Sequence, residues 1–119
     1  MRDFRQFDVW KEAHQLALDL YAATTRFPIE ARFGLAQQLR RCAVSIPSNI
    51  VEGAARPTDR DFARFVGIAL ASASEAEYQL LLARDLGYID DGRHELLSQA
   101  VVSVRRMLIR LRQRLAHSS

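Results

Sequence analysis

Lysine is almost missing from this chain: sixteen of the 17 basic residues are arginine, and Lys11 is the exception. Cysteine is equally rare, and a lone Cys42 excludes an intrachain disulfide and a cysteine-rich zinc site, and predicts a reducing compartment. Three prolines and five glycines in 119 residues exclude a linker-like or collagen-like chain. No run approaches the roughly 18 apolar residues that span a bilayer, and the opening Met1-Arg2-Asp3-Phe4 lacks the apolar stretch of a signal peptide. These absences predict a soluble, cytoplasmic protein. What is present, 49% hydrophobic and 26% charged residues, fits one globular domain over residues 1–119 and is too short for two.

The net charge of +3 conceals an uneven distribution. All fourteen acidic residues lie at or before Glu95, so the last part of the chain carries only the positive charge of Arg105, Arg106, Arg110, Arg112 and Arg114. Arginine forks match phosphate and carboxylate geometry, and the tract suggests an anionic partner. The competing reading is a solvated helix face.

Four amphipathic helices account for the hydrophobic pattern. Val9, Ala13, Leu16, Ala17, Leu20 and Tyr21 form one stripe between Asp8 and about Arg26, with Asp8 as the expected N-cap and Phe27-Pro28 as the stop. A second helix is expected from Pro28–Glu30 onward through Leu39, Cys42 and Ala43, with a kink or break near Pro47 because proline donates no hydrogen bond and crowds the preceding turn. Thr58 opens a third helix to about Leu86, with Asp59 and Asp61 in its first turn. Phe62, Ala69, Ala76 and Ala83 recur every seven residues beside Val66, Ala73 and Leu80, a bundle seam. Leu70, Leu81 and Leu82 add apolar area away from that seam, which predicts that this helix is covered on more than one side and that copies of the chain assemble. The acids of Asp90-Asp91-Gly92 can cap a fourth helix with rows Leu97, Val104, Leu111 and Val101, Leu108, Leu115. Short connections favour antiparallel neighbours, so the expected fold is an all-α, up-and-down antiparallel four-helix bundle.

No catalytic constellation stands out. A di-iron bundle needs Glu-x-x-His pairs and the chain has none, so no metal or cofactor is expected. Glycine patterns for phosphate loops, dinucleotide sites and nucleophile elbows are lacking, and Cys42 lies in an apolar stretch that favours an inert thiol. Glu52, Glu75 and Glu77 lie near apolar seams, where Arg40 and Arg41 are candidate ion-pair partners. Arg56, Arg60 and Arg64, spaced by four, repeat the basic pattern at the start of the third helix. The two basic groups could line one groove and hold nucleic-acid phosphates without sequence readout.

The run Phe27-Pro28-x-Glu30, Gly34-Leu35 and then Gln38 through Ser45-Ile46-Pro47-Ser48-Asn49-Ile50-Val51-Glu52-Gly53 resembles a known family. Further matches are Phe62 to Phe65, Ala69-Leu70-Ala71-Ser72, Glu75 and Leu82 to Ile89. The sequence is similar to the bacterial four-helix-bundle proteins encoded in intervening sequences of 23S ribosomal RNA genes, a family that also includes accessory variability proteins of diversity-generating retroelements. Pro47, Asn49, Glu52, Gly53 and Glu75 are the motif positions. Ala71 departs from it, since relatives often carry glycine there. The resemblance implies a homopentameric ring, and for the retroelement members contact with a reverse transcriptase and nucleic acid. Together these readings predict a non-enzymatic, oligomeric module that associates with RNA or an RNA–protein partner, the alternative being a protein-interaction scaffold without nucleic acid.

Overall fold

The last two helices begin where a side chain satisfies their end groups. The computed structural model describes residues 2–118 and contains four helices: α1, Asp8–Thr25; α2, Leu35–Ala54; α3, Asp59–Asp85; and α4, Asp91–Ser118. Two 3-10 turns, Phe4–Gln6 and Ile29–Ala31, precede α1 and α2. Thr58 caps α3 as expected, its Oγ1 accepting the Asp61 N–H at 3.1 Å. Asp90 does the same for α4, accepting the Arg93 N–H at 2.7 Å.

The end of α3 is closed by Gly87, whose φ of +80° lets the chain turn back. Its N–H bonds the Arg84 carbonyl at 2.9 Å and the Tyr88 N–H bonds the Ala83 carbonyl at 2.8 Å, the paired closure that ends many helices.

Two boundaries differ from expectation. Asp8 does not cap α1: the extended Phe7 occupies the cap position without a side-chain bond, and Asp8 sits inside the first turn, facing the positive end of the helix dipole. Asp3 caps the 3-10 turn before α1 instead, accepting the Arg5 N–H at 3.0 Å. The second helix starts later than Pro28–Glu30, because Gly34 (φ −116°, ψ −112°) is non-helical and only the short 3-10 turn forms before it. Pro47 lies within α2, buried, and of the two disturbances expected there the helix shows no break.

Consecutive helices pack against each other and α4 closes against α1, giving a rod of 46 × 22 × 19 Å. The α3 rows Phe62, Ala69, Ala76, Ala83 and Val66, Ala73, Leu80 are completely buried, and the α4 rows join the same core. Leu70 is also taken into the core, whereas Ile68, Tyr78 and Leu81 of α3 remain exposed.

Up-and-down connectivity places the start of α1, the end of α2, the start of α3 and the end of α4 at one end of the rod, the terminal end. The two interhelix loops at residues 26–34 and 86–90 form the opposite, loop end. Dividing each helix at its middle, the terminal half (residues 2–16, 45–72 and 105–118) holds eleven basic and six acidic residues. The loop half holds six and eight.

Candidate nucleic-acid interface

Topology brings both predicted basic groups to the terminal end, because α3 begins where α4 finishes. The eight arginines differ in how their charge is used. Arg106, Arg110, Arg112 and Arg114 are exposed on the last turns of α4 and have no ion-pair partner among the described residues. Arg110 and Arg114 stand over the first turn of α1, beside Gln6, Phe7 and Asp8. Arg105 is half-buried and pairs with Glu77 on α3, so its charge is already matched.

On α3 the pattern is similar. Arg60 is exposed without an ion-pair partner among the described residues, while Arg64 lies 3.7 Å from Asp61. Arg56 and Arg64 both stack on the buried Phe65 ring, at 4.8 and 4.6 Å from its centroid. Stacking uses the face of a guanidinium and leaves its N–H edge for an acceptor. Arg2 contributes a contact that the sequence reading missed: it pairs with Asp59, donates to the Arg56 carbonyl at 3.1 Å and lies over Phe62. Up-and-down topology, applied to residues 2–7, was the signal that could have placed it there.

Part of the motif serves the α2–α3 contact, through Gly53 and through Ser45, which Asn49 holds. Asn49 donates to the carbonyl and hydroxyl of Ser45, at 2.8 and 3.0 Å, and the Ser45 hydroxyl meets the Ser72 hydroxyl across the helix pair at 2.7 Å. Gly53 lies flat beneath Phe62 and Phe65. Glu52 and Glu75 are exposed and do not pair with Arg40 or Arg41. Exposure removes the need for a partner, and Arg40 instead bonds Thr24 and Thr25 on α1.

Cys42 donates its thiol proton to Glu75 at 3.6 Å. Burial, reinforced by the negative charge of Glu75, pushes its pKa up to about 11. The direction opposes nucleophilic chemistry, which needs thiolate. At pH 8 a thiol reagent is expected to label native Cys42 about a hundredfold more slowly than the unfolded chain. Equal rates with and without denaturant would contradict that environment. Among the described residues, no group of three His, Cys, Asp or Glu side chains converges as a metal site, and no helix is long and apolar enough to cross a membrane.

Fold and surface together define a class: an antiparallel four-helix bundle with an arginine-rich end and a serine- and glycine-mediated α2–α3 seam. The chain belongs to the 23S rRNA-intervening sequence protein family, whose model matches residues 5–110. It is also similar to a solved structure of unknown function from the S23 ribosomal protein family of Bacteroides thetaiotaomicron. That likeness has a TM-score of 0.83 and 25% sequence identity, covering 88% of this chain and 95% of the other. No curated protein matches the sequence.

Proposed function

We propose that the protein is a non-enzymatic, oligomeric module that holds RNA, or an RNA–protein partner such as a reverse transcriptase complex, by its phosphate backbone. The observation that carries this reading is the gathering of Arg60, Arg106, Arg110, Arg112 and Arg114, unmatched by acids among the described residues, in one half of the rod. Family membership, through the RNA gene that its name specifies, supports the same direction. The exposed Ile68, Tyr78 and Leu81 on α3 support assembly of copies, and the family resemblance implies a homopentamer.

Charge-only binding predicts a steep salt response. Four phosphate contacts give a log–log slope of about −3 to −4, a loss of about a hundredfold in affinity between 50 and 200 mM salt. Reversing Arg106, Arg110, Arg112 and Arg114 to glutamate is expected to abolish binding to a structured RNA while leaving the helical circular dichroism unchanged. Salt-independent binding, or binding that survives the reversal, refutes the reading. The protein-scaffold alternative draws on the exposed apolar side chains, and under it a pull-down is unaffected by nuclease.

A further inference from the structure

A depression runs along the outer side of α2, from Arg32 and Phe33 at the loop end to Glu52, and none of the terminal arginines lines it. Its volume is about 750 Å³, within the range of pockets that accept small organic groups. Its walls combine three kinds of side chain. Phe33 and Tyr21 supply aromatic faces, Arg32 and Arg41 supply positive charge, and Gln37 supplies an amide, the Asn49 amide being turned onto Ser45.

Phe33 is the informative member. It is 83% exposed at the turn before α2, so its apolar area is left in water and contributes almost nothing to the core. Arg32 reaches over its ring at 5.5 Å from the centroid, which sets a cation beside an open aromatic face. Tyr21, 41% exposed, is positioned by Arg40 at 4.7 Å, and Arg40 is itself anchored to Thr24 and Thr25. Arg41 is exposed and has no ion-pair partner among the described residues. The lining therefore holds three arginines against one acid, Glu52.

Flat hydrophobic faces beside cations and an amide suit a ligand that is planar, anionic and able to form hydrogen bonds at its edge. An unpaired nucleotide has all three properties, and base-on-aromatic stacking with arginine on the backbone is the general solution for single strands. We propose that this depression binds an unpaired segment of RNA, with a base stacked on Phe33, Tyr21 bordering it, Arg32 and Arg41 on the flanking phosphates, and Gln37 at the base edge. A base-paired helix cannot enter, because its bases are already stacked and its edges lie in grooves. The inference builds on the RNA reading above but assigns it a second, strand-selective site.

The test compares a short unstructured RNA with a blunt RNA duplex, each titrated by fluorescence anisotropy into the full-length protein and into Phe33→Ala and Arg41→Glu variants. Both substitutions are at exposed positions, and circular dichroism with light scattering checks fold and mass. The expected result is a 5- to 150-fold loss for single-stranded RNA in Phe33→Ala, a comparable loss in Arg41→Glu, and unchanged duplex affinity. Single-strand affinity that is unchanged in both variants overturns the proposal while leaving terminal-end binding intact. A change in oligomeric mass with unaltered RNA affinity also overturns it, and identifies the depression as a contact between copies. Failure of the terminal-end reading has a separate signature: the wild-type protein does not bind the duplex, or its duplex binding survives the α4 reversal, while the Phe33 effect persists.

Discussion

Truncating Phe62 to alanine is expected to lower the unfolding free energy by about 3–5 kcal/mol, a large share of the roughly 5–15 kcal/mol available to a domain of this kind. The ring has no exposed surface. Phe7 packs edge-on against it with centroids 5.5 Å apart, and the Arg2 guanidinium lies 5.1 Å from its centre. Removing it leaves a void where α2, α3 and the N-terminal turn meet, and backbone bracing by Gly53 limits how far the site can collapse. A denaturant midpoint measured at fixed protein concentration checks the value, because assembly of copies would add a concentration-dependent contribution. A loss below about 1 kcal/mol would show that the N-terminal turn does not hold this ring.

Gly53→Ala is the second, and its sign is unusual. Inside an exposed helix alanine is favoured over glycine by about 1 kcal/mol. Here a methyl group on Gly53 would stand 2.7 Å from Phe62 Cδ1 and 2.9 Å from Phe65 Cβ. The second contact involves an atom fixed to the backbone of α3, so the helices must separate. Overpacking of this kind costs about 1–3 kcal/mol and outweighs the propensity gain. The two substitutions should also couple. In a Phe62→Ala background the closest contact is gone, and Gly53→Ala is expected to cost at least about 0.5 kcal/mol less than in the wild type. Additive effects would mean that the methyl group clashes with Phe65 alone.

Periodicity made most of the bundle legible. The seven-residue rows of α3 and α4 needed only their spacing to declare a buried stripe, and Thr58 and Phe27-Pro28 marked boundaries through local chemistry that no distant contact overrides. The start of α2 was not legible in that way. Residues 28–34 could have joined the helix by composition, and it is the backbone of Gly34 that separates them.

The candidate sites were legible in a different measure. Charge bookkeeping found the terminal arginines, but whether an arginine is free depends on acids far away in sequence. Glu77 satisfies Arg105 across 28 positions, whereas Arg112, two turns further along, has no such partner among the described residues. Phe33 escaped notice because nothing in its neighbours distinguishes an exposed phenylalanine from a core one. Gly53 stood out in the sequence only as a motif position, and only the packed rings above it show that it is a spacer between two helices.

The unequal division of charge between the two ends makes the rod an electric dipole along its long axis. A polyanion several nanometres away exerts a torque as well as a pull, turning the molecule so that the α4 terminus leads and the interhelix loops trail. Most encounters would then begin in nearly the same orientation. That bias weakens once added ions shorten the field to less than the length of the protein, so landing angle and arrival rate should decline together.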